Sequence, residues 1–577
     1  MKRTSRRGFL SLLGGALAVW ARRARGAESA GAGADAGSAS GSGELFSGAP
    51  APDDPLELLY SRRLSFDDGQ PLITVRVAEG RQELKLTPKS ALSAWSRLAT
   101  GEAKQTVQDG APGAWTLVLL ESTPGLGAAW VELETLRFAD KPSVQKAREE
   151  WTAKGVPVRV ATVGETYGIA GHVVDTRRYA ILAEGDATEA GARAQQQELE
   201  KKFGLRTQLH RELATRPRGR IELRDPSGAA VAVGESALEL RAEKGIAVEQ
   251  VEFGMGYSFH GFETRTYPGR LYATVDASGA LALVAALPME RLVKGVVPSE
   301  IFPTAHLEAL KSQAVTARGE VLAKIGARHL GDPYLLCAEQ HCQVYKGIAA
   351  EEAGPAAAVD QTRGEALFAS AAGSSRLVDS VYSAVCGGYT EDNDAVWGGP
   401  ADPSLRGRPD FDVKAAPMKI FRDGIGQALV GRFVRLSSPP SYCALSGLAK
   451  ADKVRWKKTF TQSEVDELCT ALGVGSVKAM TVEGRGVSGR ARALRIDGKQ
   501  GTARIYGELP IRRLFKNLNS GMFVLEHARG TWTFIGGGWG HGSGMCQTGA
   551  IGRAQRGASY SQILGWYYSG AKPVKIY

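Results

Sequence analysis

Acidic residues are absent from the first 27 positions of this 577-residue chain, which hold Lys2 and six arginines (Arg3, Arg6, Arg7, Arg22, Arg23 and Arg25). Cysteine is absent from the stretch that follows the apolar segment Gly8 to Trp20. That argues against a lipid-anchored terminus. No later run is apolar for the roughly 20 residues a membrane-spanning helix needs, so the sequence offers no transmembrane anchor beyond its start. Cysteine is scarce altogether, with six in the chain. Outside the cytosol such thiols form disulfides or bind metal.

What is present at the start is a basic region, a short apolar run and then small residues. Ser5-Arg6-Arg7-Gly8-Phe9-Leu10 resembles a twin-arginine export signal. The apolar run is too short to span comfortably, so residues 1–27 are expected to be a cleaved signal. The mature chain would then lie in the periplasm or cell envelope. The formal charge is +11. Removing the +7 of the first 27 residues leaves +4, and a basic patch for nucleic acid loses its main support. No nucleic-acid partner is expected.

Residues 28–55 are rich in Gly, Ala and Ser with Pro50, Pro52 and Pro55, and read as a disordered linker. Residues 56–112 read as a small β-rich region of unknown role. Residues 113–212 carry a repeat. A strand (Ala128 to Leu136), a helix (Ser143 to Lys154) and a strand (Val156 to Val163) are followed by a strand (Arg178 to Glu184), a helix (Ala187 to Phe203) and a strand (Leu205 to His210). Two βαβ units in this length suggest a ferredoxin-like sandwich. From Gly219 to Leu287 short β-rich runs alternate with Gly/Asp turns.

The run Val296 to Arg318 puts Glu300 in a turn ahead of a long helix. Lys311 and Arg318 follow seven residues apart, near two helical turns, so both lie on one face and can point back toward the turn. Thr304 is a plausible N-cap. Leu307, Leu310, Ala314, Ala317 and Val321 step by three and four, so one face is buried.

Four pieces in order carry a resemblance. They are LPMERLVKGVVPSEIFPTAHLEALKSQAVTAR, CAEQHCQVYKG at 337–347, VYSAVCGGYTEDNDAVWGG at 381–399, and GGGWGHGSGMCQTGAIGRAQRG at 536–557 with QILGWYYSG after it. Together they resemble the SpoIID/LytB family, the stage II sporulation protein D type of lytic transglycosylase and its amidase-enhancer relatives, over residues 216–577. The pieces around WVELETLRFADKPSVQKAREEWTAKGVPVRVATV resemble a SPOR domain, a family that binds glycan strands stripped of stem peptides. The expected fold class is therefore α+β and multi-domain: a SpoIID-like mixed α/β catalytic domain preceded by a ferredoxin-like βαββαβ (SPOR-like) module.

The resemblance implies an exported lytic transglycosylase acting on MurNAc–GlcNAc strands of peptidoglycan, expected to be denuded of stem peptides, with Glu300 as acid/base and Lys311 and Arg318 as helix cations of the site. The alternative that the resemblance implies is a non-catalytic amidase enhancer that binds peptidoglycan and activates a separate cell-wall amidase. One carboxyl group can serve both steps of a transglycosylase: it protonates the leaving oxygen, then takes the proton of the muramoyl 6-hydroxyl as a 1,6-anhydro ring closes. Val296, Val297, Ile301 and Phe302 would raise the Glu300 pKa, whereas a helix N-terminus and Lys311 would lower it. The sequence leaves that balance open.

Cys337, His341 and Cys342 have the ligand types for zinc, and family members hold a metal at this motif. Disulfides at Cys337 and Cys342 are the alternative. Cys386 and Cys546 are placed near the same site, and Cys443 with Cys469 as disulfide partners. Tyr382, Ser383, Thr390 and Glu391 are expected to line the cleft. His541 is open to catalytic, metal-binding, substrate-lining or packed-turn roles. Trp397 and Trp539 are sugar-stacking or core residues. Ile301, Gly319 and Glu320 depart from the usual family motif.

Overall fold

The computed structural model describes residues 54–97, 103–205, 207–256, 259–371, 374–416, 418–437 and 439–577. The expected signal (1–27) and all but the end of the expected linker (28–55) lie outside the described residues. A short helix, Pro55–Tyr60, already begins at the linker's last position, capped by Asp54. The architecture is mixed α/β with several sheets. Among the described residues no helix is long and apolar enough to cross a membrane.

Two sheets bring the early and middle chain together. One has seven strands in the order Ser65–Asp67, Gln70–Arg81, Leu281–Pro288, Arg270–Val275, Ala237–Arg241, Leu92–Arg97, Ala103–Gly110. The other has six, in the order Ala230–Glu235, Arg218–Arg224, Trp115–Thr123, Glu83–Pro88, Ile246–Phe253, Gly261–Tyr267. Leu86, Leu117, Leu223, Leu240, Leu271 and Leu283 from both sheets join one apolar cluster. That cluster supplies the burial that two amphipathic sheets need to be stable together.

The boundaries expected at 113 and 216 are therefore corrected. Trp115–Thr123 pairs with Glu83–Pro88 and with Arg218–Arg224. The region 56–112 shares its sheets with 218–288 and is not a separate unit. Between these strands lies a four-stranded antiparallel sheet in the order Gln208–Thr215, Leu126–Arg137, Arg178–Ala183, Val158–Val163. Helices α1 (Lys141–Ala153) and α2 (Glu189–Phe203) connect its strands. Asp140 and Thr188 cap them, and Gly204 ends the second in the left-handed conformation, which glycine adopts at little cost. Trp151, Ile181 and Leu199 form this layer's own core.

Two helices follow the seven-stranded sheet: α3 (Met289–Glu300) and α4 (Leu307–Lys324). The N-cap of α4 is His306, whose Nδ1 accepts from Glu308 N at 3.3 Å, in place of the expected Thr304. One buried face was expected for α4. Instead it is buried nearly all round, including Ser312, Gln313, Thr316, Arg318, Glu320 and Lys324. It is the central helix of the C-terminal half, touched by α3, by the strand Glu365–Ala371 and by the helices Ala353–Gln361, Gln547–Ala554 and Tyr560–Tyr567. Gly319 lets it approach closely, because a Cβ there would collide with Ser380 Oγ.

Candidate functional site

Glu300 is the last residue of α3, not a residue of a turn leading into α4. Pro298 stands inside the final turn of α3, and the helix ends two residues later at Glu300, with Ile301 extended after it. Ile301 N donates to Val297 O at 3.0 Å, and its side chain is buried in the core. The Glu300 backbone is held from the other side, where Gln547 Nε2 donates to its carbonyl at 2.8 Å. Gln547 opens α5 (Gln547–Ala554), inside the fourth sequence motif.

Among the described residues the Glu300 carboxyl accepts one hydrogen bond, from Val344 N to Oε1 at 2.6 Å. Burial pushes its pKa up to about 7, against the lowering pull of the Val344 N–H; Glu320 adds to the rise, and Lys324 and Lys346 oppose it. The expected helix N-terminus is absent. The carboxyl sits at a helix C-terminus, whose dipole disfavours negative charge. Some solvent still reaches the residue.

The cations near Glu300 are not those expected. Lys311 pairs with Glu308 at 2.8 Å and lies 5.7 Å from the Tyr560 ring centre. Arg318 is fully buried. It binds Glu290 at 2.8 and 2.6 Å and donates to Val359 O and Thr362 Oγ1 at 2.9 and 3.2 Å. Glu290 also accepts from Tyr577 OH and Gly364 N. The face of α4 turned toward Glu300 carries Gln313, Glu320 and Lys324 instead. Arg318 and Glu320 are two residues apart, or about 200° around the helix, so they point to opposite sides. Lys324 Nζ donates to Glu320 and, at 3.1 Å, to Cys342 O.

The 337–347 motif folds as a loop against this face. Gln343 Nε2 donates to Ala317 O at 3.0 Å, and Tyr382 OH to Gln343 Oε1 at 3.3 Å. Tyr382 belongs to a two-residue strand, Tyr382–Ser383, parallel to Met545–Cys546. Glu300 and Glu320 both contribute to raising its phenol, after burial. Ser383 is buried beside it with no partner for its hydroxyl among the described residues. Thr390 and Glu391 are 2% and 1% exposed, which corrects their expected place on the cleft wall. Thr390 Oγ1 accepts from Arg408 N, and Glu391 accepts from Ser488 Oγ and Asp392 N, so both serve the packing of the 381–411 segment.

His541 Nδ1 accepts from Ser543 N at 3.1 Å, leaving the proton on Nε2. Burial, with Arg490 nearby, lowers its pKa to about 3, so the ring is neutral at pH 7. It packs 4.8 Å from the half-exposed Trp397. Trp539 is also exposed and lies under Lys453. Gly544 lets the loop pass beside Val381, whose carbonyl a Cβ would strike.

Cys337, His341 and Cys342 are brought together, joined by His329, which sequence reasoning missed. Their donor atoms lie within 4.8 Å of one another. His329 Nε2 is 3.3 Å from Cys342 Sγ, and its Nδ1 is 2.8 Å from Asp332, the outer carboxylate that usually fixes a ligating imidazole. Two sulfurs and two imidazoles match a tetrahedral zinc set. His341 opens to solvent. Along with Trp397 it lines a groove of about 2870 Å³, which residues of the four-stranded layer around Glu132 and His210 also line.

All six cysteines are unpaired and buried. Cys443 and Cys469 lie in different apolar clusters, which corrects their expected disulfide. Cys386 and Cys546 do not join the Cys337 group. They lie with Cys443 and Asp410. The signal for Glu320 and Lys324 was their spacing of four on one helix; His329 gave no local signal.

Family comparisons agree with this layout. A model described as Stage II sporulation protein matches residues 277–368, which hold α3, α4 and the 337–347 loop. A domain of unknown function (DUF8618) matches residues 391–544. An uncharacterized protein of Brachyspira hyodysenteriae is 30% identical over 349 residues, covering 59% of this chain and 81% of that protein. The Stage II sporulation protein D of Bacillus subtilis is 27% identical over 50% of this chain and 74% of its own length. The amidase enhancer of Bacillus subtilis is 27% identical over 48% of this chain. The chain belongs to the SpoIID/LytB family. Only 39% of the amidase enhancer's length is matched. As a SpoIID/LytB member the chain is a cell-wall-related protein.

Proposed function

We propose that this SpoIID/LytB protein is an exported lytic transglycosylase that cuts peptidoglycan glycan strands, with Glu300 as the single acid/base. The observation that carries the reading is a carboxyl raised to about 7 with one hydrogen-bond donor on it. At neutral pH a large fraction is protonated and able to donate to a glycosidic oxygen. Once the C1–oxygen bond breaks, the muramoyl 6-hydroxyl attacks C1. Its proton goes to the Glu300 carboxylate. The products are a 1,6-anhydromuramoyl end and a free hydroxyl, the acid is regenerated, and no water is consumed.

Tyr382, Glu320 and Lys324 surround this carboxyl in the proposed site, and neutral His541 with Trp397 offers a face for a sugar ring. Arg318 contributes by tying α4 to Glu290 of α3, and Lys311 by its pair with Glu308 on the surface of α4. The order of the four-stranded layer, with its two connecting helices, supports a ferredoxin-like, SPOR-like reading, and its share of the large groove supports glycan binding there. Zinc at His329, Cys337, His341 and Cys342 would order the loop that presents Val344 N to Glu300.

The likeness to an amidase enhancer supports a second reading, a peptidoglycan-binding activator without its own cutting step. Incubation of the mature chain with denuded glycan strands, followed by mass spectrometry, separates the two. Anhydromuramoyl ends are expected. Their absence, together with faster stem-peptide release when a cell-wall amidase is added, would favour the activator.

A further inference from the structure

We propose that Cys386, Asp410, Cys443 and Cys546 form a second zinc site, closed and structural, that staples the floor under Glu300. The residues come from four separate stretches of chain, yet their donor atoms lie within 4.8 Å of one another. Cys386 Sγ is 3.9 Å from Cys443 Sγ and 3.3 Å from Asp410 Oδ2. Ligands on a tetrahedral zinc with bonds of about 2.3 Å to sulfur stand about 3.8 Å apart, with sulfur–oxygen edges slightly shorter. The spacing is thus that of a coordination shell and roughly twice that of a sulfur–sulfur bond. A disulfide would also leave the third thiol over.

The surroundings are built for such an ion. All four side chains are 0% exposed, which leaves no open position and marks a structural site, not a catalytic one. Backbone N–H groups point at the sulfurs, from Gly388 to Cys386 and from Cys386 and Gly549 to Cys546, at 3.3, 3.1 and 3.3 Å. Asp410 Oδ1 is taken by Tyr567 OH at 2.8 Å and Arg553 at 3.0 Å. That fixes the carboxylate and leaves Oδ2 toward the sulfurs, the usual outer support of a ligating oxygen. A divalent ion cancels only half the charge of three thiolates and a carboxylate. Arg553 pairs with Asp410, Arg490 donates to Cys386 O and Arg455 to Gly387 O. These guanidiniums offset the remainder. The thiols bind as thiolates, releasing their protons to solvent.

The staple has a consequence for the candidate active site. Cys546 directly precedes Gln547, which holds the Glu300 carbonyl, and Cys386 follows the strand bearing Tyr382. The ion would fix both against each other. It is independent of the His329 group, which uses none of these residues.

The test begins with the full mature chain carrying Cys337→Ser and His341→Ala, which removes the outer cluster. Purified without chelator, it is expected to retain one zinc per chain by elemental analysis. Asp410→Asn or Cys443→Ser in that background lowers the ratio toward zero and lowers the thermal midpoint. Should those inner variants fail to fold, cobalt exchange into the outer-cluster variant gives the readout, a thiolate-to-cobalt absorption band with tetrahedral visible bands. A metal-free outer-cluster variant, or a Cys386–Cys443 disulfide by non-reducing mass spectrometry, overturns the proposal.

Discussion

Two carboxylate–cation groups sit on opposite sides of α4 and have opposite character. Glu290 and Arg318 are sealed, and every polar atom of the pair that the network reaches has a partner, including Tyr577 and Gly364 N. Glu300 has one donor, a second carboxylate beside it and partial solvent access. Both groups are buried acid–base arrangements. The first spends its hydrogen bonds on joining α3, α4 and the C-terminus. The second leaves a carboxyl whose proton is finely balanced, which is what acid/base chemistry requires.

The largest expected stability effect breaks the sealed side. Arg318→Met leaves Glu290 without its cation and is expected to cost about 3–5 kcal/mol. Urea denaturation measures it. A loss under about 1 kcal/mol would mean that the pair is not the staple described.

The next effect sharpens the open side. Glu320 raises the Glu300 pKa, and Lys324 lowers it. Glu320→Gln removes the raising charge and leaves Lys324 unpaired. The alkaline limb of the pH–rate profile is then expected to move to lower pH. A shift upward would contradict the charge argument.

A linked stability effect follows. The folded Glu300 pKa is raised from 4.5 to about 7. Its contribution to stability is therefore complete below pH 4.5 and lost as pH rises through about 7. Wild type should lose stability across that window relative to Glu300→Gln, as read by thermal midpoints at a series of pH values. Parallel curves would contradict the raised value.

The smallest effect is at Lys311→Ala. Its pair with Glu308 is a helix-surface contact worth about 0.2–0.5 kcal/mol. A large loss of activity with normal stability would return Lys311 to the site.

Much of this was readable from residues near one another in the chain. Glu300, the Cys337–His341–Cys342 motif and the strands and helices between 126 and 215 are local patterns, and the structure places those elements within a few residues of expectation. Less readable was anything that depends on rotation or on distant pairing. Lys311 and Arg318 do share a stripe of α4, but which stripe faces Glu300 depends on how the helix is turned in its socket. Burial on all sides of α4 comes from neighbours contributed by distant segments. The partners of Trp115–Thr123 lie on both sides of the inserted layer, so the boundary could not be placed by composition. Asp410 had no local signal at all, since its sulfur neighbours come from positions 386, 443 and 546. Glu320, a departure from the family motif, became interpretable only beside Glu300.

The central claim is that Glu300 donates and then recovers the proton. The direct measurement is the rate of anhydromuramoyl product from denuded glycan strands, across pH, for wild type and Glu300→Gln. The account predicts a wild-type rate that falls as pH rises through about 7 and a Glu300→Gln rate lower by about a hundred- to ten-thousand-fold. Product equally abundant with Glu300→Gln would contradict it.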